Sequence, residues 1–301
     1  MCGKIWRSAF VFALALALAI GSGIVPQAQQ KPYTVCSDIP WDPFEMVTAG
    51  GEYFGFDLDV MRMIAIVEGY EIEIQNMAFD AIIPAVQAGK CDIGASGFTI
   101  TEEREEVVDF SCPYWTSNQA VIVRQDSGFT SLDDVFCCGH KIGAQRGTTG
   151  ADWVQTNLID QGVDVELVLY ETYPLAVLDL FNRRIDAVVQ DEPASKASIA
   201  AYPGVLTILG VIETNEYFGF LVAEGDPYGL LAKFSEGMCL LGYSCARGFV
   251  VPGSPWDNLV KAYFGPSADV IEACWLECKG KLLTDKDVVG FAACMAGCVA
   301  R

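Results

Sequence analysis

From Tyr33 to Asp191 the chain alternates short β-type runs with helical patterns, and this restricts it to parallel sheets with helical crossovers. "YTVCSD" reads as a strand, "FDLDVMRMIAIVEGY" as a helix, "EIEIQNM" as a strand, "DAIIPAVQAG" as a helix and "CDIGASG" as a strand. The rhythm repeats in "KIGAQRG", "GADWVQTNLIDQG", "VELVLY", "YPLAVLDLFNRR" and "IDAVVQD". The extended, apolar "YWTSNQAVIVRQD" joins the two units. A third segment opens with the strand "EYFGFLVAEGD" and continues into helices that end near "NLVKAYFG". With 301 residues and 52% hydrophobic content, the chain can bury a core and divide it between two domains.

Ligands of open parallel sheets bind outside the carboxyl ends of the strands, so the turns that follow them are where chemistry is sought. These are "SDIPWDPFE", "SGFTITEER", "RGTTGADW" and "QDEPAS". Asp38, Ser96, Thr99, Arg104, Thr149, Gln190 and Asp191 can converge there in a cleft, with Trp41 and Phe79 as aromatic faces. Arg104 offers a planar fork of donors that matches a carboxylate and stays charged at any working pH. Backbone amides at Thr99 and in "GTTG", where a helix starts near Ala151, can hold the same anion. Asp191, acceptor-only when ionised, suits a primary ammonium. Together these groups form a clamp for the two poles of an amino acid. Taken singly, each has a plainer alternative. Arg104 can pair on the surface with Glu103 or Glu106, and Asp191 can cap the helix before Pro193. Trp41 and Phe79 can be core residues; with Asp38 beside them they suit a guanidinium or ammonium head.

The ordered blocks "DIPWDPFE", "GFDLDV", "FDAIIPAVQAGKCDIGASGFTITEEREEVVDFSCPYW", "KIGAQRGTTGADW", "RRIDAVVQDEPAS" and "YFG" resemble the family 3 solute-binding proteins, the amino-acid receptors of ABC importers. The resemblance runs from about Pro32 to Gly265. It implies an α/β, two-lobed type II periplasmic-binding-protein fold, each parallel sheet carrying one antiparallel strand, with a cleft between the lobes. Residues 32–118 and 219–265 would form one lobe and 119–218 the other, with hinges near 114–118 and 215–219. By matching motifs, Arg104 would bind the α-carboxylate with amides of Thr99, Thr149 and Gly150. Asp191, the Gly97 carbonyl and the Thr99 hydroxyl would hold the α-ammonium. Trp41 and Phe79 would flank the side chain, Asp38 would face its distal head, and Arg146 would lie beside the site. Such a receptor closes on a polar or cationic amino acid (arginine, lysine or glutamine) and delivers it to a membrane permease; Asp38 would repel glutamate. Two other functions are carried alongside. One is a cyclohexadienyl-dehydratase-like enzyme, which needs a general acid over a cyclic substrate. The other is a sensing module read by a membrane partner. No catalytic residue, metal or cofactor is expected.

Residues 1–28 combine Lys4 and Arg7 with an apolar run from Ala9 to Ile20, the pattern of a secretory signal or, if uncleaved, an N-terminal anchor. The net charge of −20 becomes −22 without Lys4 and Arg7, a field that disfavours nucleic acid and anionic membranes and draws cationic solutes. Twelve cysteines fit an oxidising compartment. Beyond "YFG", residues 266–301 carry two C-x-x-x-C pairs. In an antiparallel helical hairpin turning near Thr284–Asp287, Cys274–Cys298 and Cys278–Cys294 share one index sum and can close together; a four-thiolate zinc site is the alternative. Cys239 and Cys245 are expected as a short loop disulfide, against two buried thiols. Among Cys36, Cys91, Cys112, Cys137 and Cys138, an odd number, the vicinal pair is expected as one exposed and one buried thiol. His140, the only histidine, reads as a surface residue beside a turn.

Overall fold

The structure, a computed structural model, describes residues 31–301; the expected signal or anchor at 1–28 lies outside the described residues. It contains two five-stranded sheets. Across the first, the strands run Ile72–Asn76, Tyr33–Ser37, Ile93–Gly94, Leu221–Ala223 and Val108–Phe110, and only Leu221–Ala223 opposes the rest. Across the second they run Leu206–Phe218, Trp115–Arg124, Ala187–Asp191, His140–Gln145 and Val165–Tyr170, and Trp115–Arg124 is antiparallel to both neighbours. Tyr33–Ser37 is buried along nearly its whole length because the sheet is covered on both faces, whereas the edge strand Ile72–Asn76 exposes its polar residues. Helix Phe56–Glu68 buries Leu58, Met61, Ile64 and Ala65 and stops at Gly69, whose left-handed backbone returns its N–H to the last turn.

Two antiparallel strands link the sheets, paired from Trp115↔Phe218 to Arg124↔Leu206. Between Ile212 and Glu216 the register slips: the interval Gln119 to Ser117 on one strand faces Ile212 to Glu216 on the other. Asn215 takes a left-handed φ of 53° there, and its N–H donates to Asn118 Oδ1 at 2.9 Å. Such a bulge re-aims the side chains around it.

Helices Ala268–Leu283 and Val288–Val299 form the tail hairpin, closed by disulfides Cys274–Cys298 and Cys278–Cys294. It is continuous with the first sheet's core: Trp275 packs against Phe54 at 5.0 Å and its Nε1–H donates to buried Asp59 at 3.0 Å. The Tyr263 hydroxyl also donates to Asp59. At the surface the Ala49 N–H reaches Glu272 at 2.8 Å, and Lys279 pairs with Glu52. Two cysteine expectations are corrected. Cys245 bonds to Cys112 rather than to Cys239, because the chain brings together residues 133 positions apart. Cys137 and Cys138 bond to each other, in a turn where Cys138 has a φ of 65°. A further disulfide joins Cys36 to Cys91. His140 begins its strand half-buried, with its ring against Phe129 and Nδ1 3.3 Å from the Val135 carbonyl.

Candidate functional site

The carboxyl ends of strands from both sheets meet at one small cavity of about 20 Å³, lined by Asp38, Trp41, Phe79, Ser96, Gly97, Thr99, Arg104, Gln145, Thr148, Thr149, Tyr173 and Asp191. Nine of the twelve expected site residues are therefore brought together. The other three lie elsewhere. Gln190 is buried on the opposite face of its strand from Asp191 and donates to Ser198 at 2.8 Å, since neighbouring strand residues point to opposite sides. Gly150 does not line the cavity, and a Cβ there would sit 2.7 Å from Gln119 Oε1. Arg146 is at the rim, paired with Asp80 at 3.7 Å.

The local backbone explains the geometry. Gly97 has a φ of 54°, and a Cβ there would lie 2.2 Å from the Trp41 ring, so the glycine lets the indole lie against the main chain. Its N–H donates to Asp57, which also accepts from the Tyr114 hydroxyl at 2.5 Å. Ser96 Oγ accepts the Asp38 N–H at 3.1 Å. Thr148 caps the helix that begins at Thr149, accepting from Ala151 N–H at 3.3 Å while donating to the Gln145 carbonyl at 2.8 Å. Thr101 caps the short helix Glu102–Glu105 that carries Arg104.

Arg104 makes neither surface ion pair considered for it. Its guanidinium lies over Phe79 and Phe98 at 5.6 and 5.7 Å, and donates to the Thr99 carbonyl at 2.8 Å and the Gly147 carbonyl at 3.0 Å. Gly147 follows a strand of the second sheet, so Arg104 ties the two sides together. Gln145 does the same from the other side, donating to Asp38 Oδ2 at 2.6 Å. Burial lowers the Arg104 pKa against the opposing pull of Asp152 and Glu216. Asp191 occupies the N-cap position of helix Glu192–Ala201, yet its side chain caps nothing, and Oδ1 is buried without a hydrogen-bond partner.

Asp191 is pushed up to about 8, first by burial and then by Glu216, against hydrogen bonds from Ser117 and Gln119. Burial pushes Asp38 up to about 6, with the Gln145 bond opposing it. Carboxyls with raised folded-state pKa values hold protons that the unfolded chain releases near pH 4. Their contribution is thus complete below that pH and lost as pH rises through 6 and 8. The melting temperature of ligand-free protein is expected to fall between pH 5 and 8, and Asp191→Asn should flatten the upper part of that fall. Parallel curves for the two proteins would contradict the assignment.

Gln145, Thr148, Tyr173, Gln119 and Glu216 were not anticipated. Gln145 ends a strand and Tyr173 follows one, so the carboxyl-end rule that pointed to Asp38 and Asp191 reaches them too. Glu216 has no such signal, because only the bulge turns it inward.

Two sheets sharing a cleft, with a cation on one side and a carboxyl with one unpartnered oxygen on the other, define a two-lobed ligand-capturing protein of the type II periplasmic-binding class. Residues 33–241 match the bacterial extracellular solute-binding proteins, family 3, and the chain belongs to that family. It is 32% identical over 231 residues to a probable histidine-binding protein of Neisseria gonorrhoeae, covering 74% of this chain and 85% of that one. It is 31% identical over 231 residues to the ABC transporter arginine-binding protein 1 of Escherichia coli K12, covering 76% and 91%. An ancestral arginine-binding protein bound to arginine superposes with a TM-score of 0.68 at 32% identity, over 79% of this chain and all of that one.

Proposed function

We propose that this protein is an extracytoplasmic receptor that captures a polar or cationic L-amino acid by hinge closure and passes it to the permease of an ABC importer. One observation carries the reading: Arg104 and Asp191 come from opposite sheets to one cavity, and Asp191 Oδ1 has no protein partner there. In this reading the Arg104 fork takes the α-carboxylate with amides of Thr99 and Thr149. Asp191, the Gly97 carbonyl and the Thr99 hydroxyl take the α-ammonium. Trp41 and Phe79 flank the side chain, and Asp38 faces its head. The cavity of about 20 Å³ has room for little more than a water molecule, so the ligand enters with the lobes apart and is enclosed as they close. Closure is then favoured by the contacts that the ligand makes with both sides at once.

We assign residues 32–118 and 219–265 to one lobe, 119–218 to the other and 266–301 to the stapled hairpin, with the hinge at the bulged pair around Ser117 and Glu216. Binding without chemistry is the reading we favour, because the groups of the site pair with the charges of a zwitterion. Export to an oxidising compartment fits the disulfides and the family. Among the described residues no helix is long and apolar enough to cross a membrane.

The test is a thermal-shift screen of the twenty amino acids on refolded protein. A ligand at one hundred times its Kd adds about 2.7 kcal/mol of stability, and a screen in which none raises the melting temperature refutes the reading. Asp38→Asn is expected to weaken arginine or lysine more than glutamine. Equal losses would mean that no cationic head lies at Asp38.

A further inference from the structure

Glu216 lies on the linking strand between the sheets, at the edge of the bulge, and is only 7% exposed. Its carboxylate receives four hydrogen bonds. Oε2 accepts from the Thr99 hydroxyl at 2.6 Å and from the Thr149 hydroxyl at 2.6 Å; Oε1 accepts from Gln119 Nε2 at 2.9 Å and from the Thr214 hydroxyl at 2.8 Å. A carboxylate oxygen only accepts, so each of the four groups donates to it. Gln119 offers an N–H, and Thr214 Oγ1 already accepts the Gln119 backbone N–H at 3.2 Å, which leaves its proton for Glu216. Thr99 and Thr149 approach the cavity from opposite sheets, and their hydroxyls stand 3.5 Å apart.

We propose that Glu216 is a positioning residue that fixes the hydrogen-bond polarity of the cleft. A hydroxyl has one proton and two lone pairs. With both threonine protons held by Glu216, Thr99 and Thr149 present only lone pairs toward the cavity. Lone pairs accept from an ammonium and repel a carboxylate oxygen, so the amino acid is oriented with its α-ammonium at the threonine hydroxyls and its carboxylate at Arg104. One oxygen of Glu216 reaches both threonines only when the two sides are together, so the same residue also favours closure. This role rests on the amino-acid reading above and names the group that sets which pole goes where.

The experiment measures binding of L-arginine and its des-amino analogue, 5-guanidinopentanoate, by calorimetry to wild type and Glu216→Gln. The glutamine keeps the shape but offers one acceptor oxygen where the carboxylate offers two, so it cannot accept from the threonine pair and from the Gln119–Thr214 pair at once. Arginine affinity is expected to fall at least tenfold while that of the analogue changes by less than about twofold. Equal losses for both ligands would reduce Glu216 to a structural member of the hinge and overturn the proposal. If Glu216→Gln gives no cooperative unfolding transition, the same ratio is read on Glu216→Asp, whose shorter carboxylate cannot span both threonines. The hydroxyl protons of Thr99 and Thr149 in ligand-free protein, followed by NMR, supply a readout that needs no ligand. They should exchange slowly in wild type and fast in either variant. A wild type that binds neither ligand would count against arginine as the ligand, while the exchange rates would still decide the role of Glu216.

Discussion

Arg104→Ala is expected to weaken amino-acid binding by about a hundredfold to a thousandfold. Removing one partner of a buried, hydrogen-bonded charge pair costs roughly 2–5 kcal/mol, much of it from the charge left behind without a partner. Here the remaining charge is the ligand carboxylate, enclosed among Phe79, Phe98 and Thr99 with backbone amides alone to receive it. The alanine also removes the tie to the Gly147 carbonyl, so the closed form loses a contact between the two sides. Arg104→Lys keeps the charge without the planar fork and should recover only part of the loss. Calorimetric titration of the best ligand from the screen measures both variants. Binding by Arg104→Ala within tenfold of wild type would place the carboxylate elsewhere.

The second large effect concerns the tail. Trp275→Ala is expected to destabilise the whole protein by roughly 3–5 kcal/mol, a typical cost for truncating a buried tryptophan. Trp275 is 1% exposed, packs with its ring tilted against Phe54 and donates to Asp59, a carboxyl buried at 0% exposure that is also held by Arg62 and Tyr263. The truncation leaves both a void and a buried carboxyl short of one donor. For a chain of this size the melting temperature should drop by roughly 10 °C. Trp275→Phe fills most of the space and should cost less. If Trp275→Ala left the main transition in place and melted only the hairpin, the tail would be an independent appendage and not part of the core.

Much of this was legible from the chain. Alternating β and helical patterns carried the two largely parallel sheets because each crossover is local, and the hairpin disulfides followed from helical spacing and an index sum. Asp38, Thr99, Arg104 and Asp191 could be named because strand ends are where an α/β fold opens. What escaped depended on distance or on a single irregularity. Cys112 and Cys245 meet only after the third segment has packed. Period-two alternation separates Asp191 from Gln190, so the two could not both face the cleft. Glu216 enters the site because two extra residues in one strand rotate it inward, and "ETNEYFG" marks no one of its acidic residues for that role.

The most direct measurement is a crystal structure of the protein with the amino acid that stabilises it most. It should show the α-carboxylate on the Arg104 guanidinium and the α-ammonium on Asp191, the ligand bridging both sheets. A ligand bound outside this cavity, with Arg104 still donating to the Gly147 carbonyl and Asp191 Oδ1 still without a partner, would contradict the account.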